Sequence, residues 1–380
     1  MMDVALPRTA ATKQSAPFRH LDVTLPLAAF SLAAIGLLMV YSSTHQTLQH
    51  FGQDPGFYLK RQAIFLTVAA VAMLGGTMID YRIVRMAAPL LYGVALLLLI
   101  LVWTPIGHSA LGAQRWFQIG GFQLSPSLLA RVVLVLTLAA YLSGVKGDVA
   151  LRHVVAATFL AALFMFWVFI QPDIGTSMIL ACILVALLVV SGAKVKHLAV
   201  LALLAAVTIF GAFQLGIVKE YQIQRLTSFI DPSADARRAG YNKQQAEIAI
   251  GAGGLFGRGY LRGTQTNLDF VPDQHTDFIF TAVGEELGFV GASVLLLLFG
   301  VLIWRAFRIA LLARDPFGTY VAVGVAAMFS IQLFVNVGMT IGIMPITGIP
   351  LPFVSYGGSA LVTDFVAVGL LNSIHMRRFL

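Results

Sequence analysis

The sequence predicts an all-α fold: a polytopic membrane protein with about ten transmembrane helices and one long extracytoplasmic loop. Three observations carry this. Of 380 residues, 58% are hydrophobic and only 11% charged, against about 25% charged in an ordinary soluble domain. Mean hydropathy is +0.86. The apolar runs are continuous over spanning lengths and do not alternate, which argues for helices and against a barrel. Only those two structures satisfy every backbone polar group within lipid.

Residues 1–22 are polar and weakly basic and are expected to form a cytoplasmic tail. Residues 23–380 then read as a single membrane domain. The first apolar stretch is of spanning length and lacks a small-residue cleavage site, so it reads as a retained signal anchor. Spans are expected near 23–43, 62–79, 87–106, 123–143, 153–171, 174–191, 196–218, 277–304, 318–343 and 357–375. The division at Gln171-Pro172-Asp173 has one alternative, a single helix of nearly 40 residues. Proline followed by aspartate in mid-run favours a tight hairpin. Cys182 lies inside an apolar run, where a small buried hydrophobe is the ordinary reading, and a lone cysteine forms no intrachain disulfide.

Orientation follows from Lys and Arg. One side holds Arg8, Lys13, Arg19, Arg82, Arg85, Lys146, Arg152, Lys194, Lys196, Arg305, Arg308, Arg314, Arg377 and Arg378. The opposite short loops hold Lys60, Arg61 and Arg115. Both termini are therefore expected in the cytoplasm, with the long loop of about 219–276 outside. The formal net charge of +8 resides mostly in the cytoplasmic loops, where topology demands it, so nucleic acid is not an expected partner.

Ionisable residues in or beside spans are functional candidates in a membrane protein. The densest stretch runs from Arg225 through Asp231-Pro232 and Lys243 to Pro272-Asp273-Gln274-His275-Thr276-Asp277-Phe278. Its glycines at 251, 253, 254, 257, 259 and 263 would let backbone amides approach a ligand closely. Arg258 and Arg262 beside them suit an anion such as a pyrophosphate. A mobile surface loop with glycine turns is the plainer reading. The spacing is no dinucleotide fingerprint, since Arg262 stands where a third glycine would be needed.

Asp277 is expected to open the eighth span on the outer side. It would either cap that helix, worth about 1 kcal/mol, or act as a general base at the water–lipid boundary. Partial burial would raise an aspartate above its usual value of about 3.9, and a nearby arginine would oppose that shift. Glu285 and Glu286 lie deeper; two adjacent acids cannot both face lipid, so at least one is expected to face a cavity or a cation. Asp173 sits at the hairpin, as a turn residue or a ligand contact. Asp364 and Arg131, lone charges in the last and fourth spans, are expected to form a structural ion pair. Asp273, His275 and Asp277 cluster, but alternate spacing on a loop defines no metal-ligand set. A magnesium ion shared with a substrate pyrophosphate fits better.

Three motifs are together diagnostic. The segment Gly240 to Gly288, centred on His275-Thr276-Asp277-Phe278-Ile279-Phe280, resembles the SEDS family (shape, elongation, division and sporulation). So do Gln171-Pro172-Asp173-Ile174-Gly175-Thr176 and the run from Pro345 to Ser359. Thr347-Gly348-Ile349-Pro350 ahead of Ser355-Tyr356-Gly357-Gly358 looks like the elongation branch. The resemblance implies a ten-helix peptidoglycan glycosyltransferase acting on lipid II at the outer face of a bacterial inner membrane. Asp277 matches the catalytic aspartate, which would deprotonate the acceptor sugar's 4-hydroxyl while undecaprenyl pyrophosphate leaves. Arg225, Lys243, Arg258, Arg262, Gln265, His275 and Thr276 are the expected substrate and pyrophosphate contacts. Asp173, Glu285, Glu286, Ser355, Tyr356, Arg131 and Asp364 are expected to support the cavity.

It further implies a class B penicillin-binding protein as partner, with undecaprenyl-pyrophosphate-linked glycan and membrane lipid as further contacts. A divalent cation, magnesium or manganese, would be shared with the pyrophosphate; no organic cofactor is implied. One departure stands out: where the family carries Gln-Pro-Ser-Glu and then lysine three residues on, this chain has Ser125-Pro126-Ser127-Leu128 and then Arg131. A lipid II flippase, or a scaffold for the transpeptidase, are the alternatives. Titratable groups gathered at the outer boundary favour the enzyme over the transporter.

Overall fold

The computed structural model describes residues 21–110, 113–120, 122–216, 229 and 239–378. Arg225, Asp231-Pro232 and nearly all of the expected cytoplasmic tail lie outside them.

Ten long helices form the described bundle: α1 Thr24–His50, α2 Phe57–Met78, α3 Tyr81–Leu101, α4 Pro126–Ser143, α5 Leu151–Ile170, α6 Ile174–Val190, α7 Val195–Gln214, α10 Ile279–Leu312, α11 Pro316–Thr340 and α12 Gly358–Met376. Nine are long and apolar enough to cross a membrane, and α6, at 17 residues, is the short tenth. Each expected span has its helix, including the pair divided at Gln171-Pro172-Asp173. That turn holds because Asp173 caps α6, its Oδ1 accepting from the Thr176 N–H at 3.0 Å. Helix ends move by several residues: α1 runs on to His50 and α10 to Leu312, beyond the spans expected of them.

The core is built from α4, α11 and α12, whose apolar windows are 67%, 67% and 89% buried, whereas α2, α3 and α7 turn theirs outward. In lipid an outward apolar face is no liability, and association rests on close packing between helices.

Two regions were not expected. Between α3 and α4 the chain forms an antiparallel meander, β1 His108–Ala110, β2 Ala113–Ile119 and β3 Phe122–Leu124. Phe117 faces Leu124 across it. Within the long loop lie α8 Ala239–Gly253 and the single turn α9 Thr264–Asn267.

Helix α10 is broken at Gly288 (φ 66°, ψ −164°). The glycine-rich segment after α8 fills the break: the N–H groups of Arg258 and Gly259 donate to the carbonyls of Glu285 and Glu286. In return, the N–H groups of Phe289 and Val290 donate to the carbonyls of Gly254 and Leu255. Backbone groups that the break would orphan are thereby satisfied. The two backbones approach too closely for side chains. A β-carbon on Gly288 would stand 2.2 Å from the Gly257 nitrogen, and one on Gly257 2.1 Å from the Glu286 carbonyl oxygen.

Candidate functional site

A cavity of about 970 Å³ opens where the meander, the 171–173 turn, the 271–278 turn and the 346–357 segment converge. Its wall brings together six of the sequence candidates: Arg131, Asp173, His275, Thr276, Asp277 and Tyr356.

Asp277 is not the cap of α10. That helix begins at Ile279, with Phe278 at its N-cap position. Asp277 lies one residue earlier, half-buried, in a turn where its N–H donates to the Asp273 carbonyl at 3.1 Å. Its own carbonyl accepts from Asn336 Nδ2 at 2.8 Å, and the same amide donates to the Ile349 carbonyl at 2.7 Å. One fully buried side chain on α11 therefore ties the aspartate turn to the 346–357 segment. That segment places the bare α-carbon of Gly348 against the Asp277 carboxylate.

Beside it, the His275 ring packs against Tyr58 at 4.9 Å and Tyr356 at 5.7 Å between centroids. The Tyr356 N–H donates to the His275 carbonyl at 2.9 Å. Burial pushes the His275 imidazole below its usual range, with the charge of Asp273 opposing. Burial pushes the Tyr356 phenol up, against Arg61, which lies by its hydroxyl. Thr276 donates through its hydroxyl to the Asp273 carbonyl at 3.0 Å.

Asp173 both caps α6 and faces the cavity, accepting also from the Thr176 hydroxyl at 2.9 Å and the Ser127 hydroxyl at 3.4 Å. Arg131 is wholly buried; its Nη1 donates to Gln332 Oε1 and its Nε to the Leu128 carbonyl at 3.4 Å. Ser355 is buried and does not line the cavity; its hydroxyl accepts from the Leu351 N–H at 2.8 Å.

Several expectations are corrected. Arg131 and Asp364 do not make the direct pair: no contact within salt-bridge distance joins them among the described residues. Glu285 and Glu286 do not line this cavity. Glu285 accepts from the N–H groups of Gln265 and Thr266 at 2.8 and 2.9 Å and from the Thr266 hydroxyl at 2.8 Å, so it anchors α9. Glu286 accepts from the Ser42 hydroxyl of α1.

Arg258, Arg262, Gln265 and Lys243 also lie off the wall. Arg258 bonds the Thr264 hydroxyl at 2.9 Å, and Lys243 stacks over the Phe229 ring at 5.2 Å. The reason is physical: the glycines serve the splice with α10, so the arginines among them project from that splice instead of flanking Asp277.

The cations actually on the wall are Arg61, Arg115 and Arg131. Arg115 also braces the hairpin, donating from Nε to the Gln171 carbonyl at 2.7 Å and from Nη2 to that of Pro172. A signal for two of them existed: Arg61 and Arg115 fall on the side expected to be poor in basic residues, against the bias from which the orientation was read. Asn336, a polar residue within a span, carried a comparable signal. Among the described residues no group of three or more His, Cys, Asp or Glu is gathered to hold a metal ion.

Comparison with known proteins agrees with this geometry. The family model for the cell cycle proteins FtsW, RodA and SpoVE matches residues 23–379. Stage V sporulation protein E of Bacillus subtilis is 36% identical over 372 residues, covering 96% of this chain and 98% of the relative. The peptidoglycan glycosyltransferase MrdB of Escherichia coli is 37% identical over 361 residues, 94% of each chain. Among solved structures, a chain from a peptidoglycan synthase complex that coordinates polymerization and crosslinking superposes with a TM-score of 0.77 at 30% identity, over 94% of this chain and 98% of that one. Rod shape determining protein RodA of Thermus thermophilus gives 0.69 at 28%, over 95% and 98%. The chain belongs to the FtsW/RodA/SpoVE family of cell cycle proteins, the SEDS family.

Proposed function

We propose that this chain is a peptidoglycan glycosyltransferase that polymerises lipid II into glycan strands. The observation that carries the reading is that Asp277 shares the wall of a large cavity with Arg61, Arg115 and Arg131, beside the carboxylates of Asp173 and Asp273. Asp277 takes the proton from the acceptor sugar's 4-hydroxyl, whose oxygen attacks the donor's anomeric carbon as the bond to undecaprenyl pyrophosphate breaks. The arginines stabilise the charge that builds on the leaving pyrophosphate. The substrate's lipid tail requires a site in a membrane protein, and ten apolar helices supply one.

The catalytic end faces outward across a bacterial cytoplasmic membrane and both termini face inward, a reading supported by the arginine and lysine bias. A class B penicillin-binding protein is the expected partner, supported by likeness to a chain of a peptidoglycan synthase complex. Thr347-Gly348-Ile349-Pro350 supports the elongation branch. A magnesium or manganese ion taking part would be carried by the pyrophosphate oxygens, because no ready ligand set is gathered among the described residues; chelation with EDTA tests its need.

The test is purified protein, alone and with its transpeptidase, given labelled lipid II in detergent. Glycan ladders that disappear in Asp277→Ala support the enzyme. Lipid II flipping in vesicles that survives Asp277→Ala, with no ladders from any sample, would sink it in favour of a transporter.

A further inference from the structure

The guanidinium of Arg131 is fully buried on the cavity wall, yet no carboxylate touches it within salt-bridge distance among the described residues. A buried charge without compensation is strongly destabilising, and inside a span it demands a partner. The two carboxylates whose charge acts on it are Asp364 and Asp173. Asp173 is already engaged by the N–H and hydroxyl of Thr176 and the hydroxyl of Ser127. Asp364, on α12, is 1% exposed. The Phe353 backbone approaches its carboxylate, yet neither Oδ atom is hydrogen-bonded among the described residues. Arg131 spends Nη1 on Gln332 and Nε on Leu128, and its Nη2 has no partner there either. The Nη2 nitrogen of Arg131 and both carboxylate oxygens of Asp364 are thus left without hydrogen-bond partners among the described residues.

We propose that Asp364 is a positioning residue acting through Arg131: its carboxylate supplies the counter-charge that keeps the guanidinium in the cavity wall, where its positive charge acts on a substrate phosphate. The activity readout rests on the polymerase reading; the charge coupling does not. The rival role for Asp364 is support of the Phe353 backbone, held at φ 63°. The two roles separate cleanly. A carboxylate placed elsewhere beside Arg131 would serve the first role and not the second. Leu128 offers that place, one turn earlier on α4 and on the cavity wall, at a spacing where side chains meet.

The experiment compares wild type, Asp364→Asn, Arg131→Gln, the pair of these, and Asp364→Asn with Leu128→Glu, each purified in detergent. Polymerisation is followed against lipid II concentration and stability by thermal melting. Asp364→Asn is expected to lower kcat/KM about tenfold, chiefly through KM, and Leu128→Glu to restore most of it. Losses from Arg131→Gln and Asp364→Asn should not add, in kcat/KM or in melting temperature.

Unchanged kinetics in Asp364→Asn, additive losses, or a loss that Leu128→Glu leaves untouched would each overturn the proposal. Should Asp364→Asn fail to fold, the pair with Arg131→Gln must recover folded protein, since no charge is then left alone; failure there too rejects the coupling. If wild type makes no glycan, the polymerase reading falls, while the melting data still decide whether the two charges are coupled.

Discussion

The α-carbon of Gly348 rests against the carboxylate of Asp277, so closely that a β-carbon built there would stand 3.2 Å from Oδ2. Gly348 also has φ +73°, a conformation that costs other L-residues about 1–2 kcal/mol. Gly348→Ala should therefore lose roughly that much stability, and it should also push the carboxylate aside. Because a misplacement of about 1 Å can cost a hundredfold in rate, polymerisation of lipid II should fall far more than the small drop in melting temperature suggests. Ladder formation and melting of the same preparation check this. A fully active Gly348→Ala would mean that the carboxylate's position against the loop is immaterial.

Asn336 is the hinge pin between that loop and the Asp277 turn. Its amide nitrogen holds both the Asp277 and the Ile349 carbonyls from a fully buried position. Asn336→Leu keeps the volume and removes the donors, leaving two carbonyls unpaired at about 1–3 kcal/mol each. Stability should fall by about 2–4 kcal/mol, with kcat reduced more than KM is raised. Asn336→Asp, which has no N–H to give, should behave the same way. Chemical denaturation and lipid II kinetics on both variants make the measurement.

The spans were legible because lipid imposes one rule, long apolar runs, and the Pro172-Asp173 break was legible because Asp173 caps the next helix, α6. Asp277 was found for its chemistry and its motif, although it lies ahead of the helix it was expected to open. The features that stayed hidden depended on pairing across distant segments. Gly257 looked like part of a ligand cradle, yet it and Gly288 exist for each other, as two backbones in contact. Arg258 was drawn to the pyrophosphate by its neighbours in sequence, whereas Arg61 and Arg115, remote in sequence, share the wall with Asp277. Ala113–Ile119 stayed hidden because its apolar and polar residues do not alternate: Gln114-Arg115 and Trp116-Phe117 break the period of two that marks a strand.

Glu285 gives a prediction that separates loop architecture from chemistry. Its carboxylate takes three hydrogen bonds from Gln265 and Thr266, which pins α9 onto α10. Bonds to a charged acceptor contribute about 1.5–3 kcal/mol each, so Glu285→Ala should free the 263–268 segment. Faster amide exchange and earlier proteolysis confined to that segment are expected, while the residues lining the cavity keep wild-type protection. Uniform loss of protection across the bundle would show instead that α9 is integral to the fold.

His275 makes a contribution to the pH dependence whose sign follows from its burial. Burial holds its folded-state pKa below the ordinary value, so the unfolded chain protonates first as pH falls. Between the unfolded value of about 6.5 and the lower folded one, the unfolded state binds more protons, and stability drops on acidification with a slope of at most about 1.4 kcal/mol per pH unit. Above about pH 6.5 the term is constant. Asp269 acts in the other direction: burial and the charge of Asp273 raise its pKa, so its folded form holds a proton more readily. That contribution is common to wild type and to a variant altered only at position 275, so the difference between the two isolates the imidazole. His275→Phe keeps a ring between Tyr58 and Tyr356 but cannot titrate. Melting temperature measured from pH 7.5 to 5 should fall further, or rise less, in wild type than in His275→Phe. Parallel curves for the two proteins would show that the imidazole is as easily protonated in the folded chain as in the unfolded one.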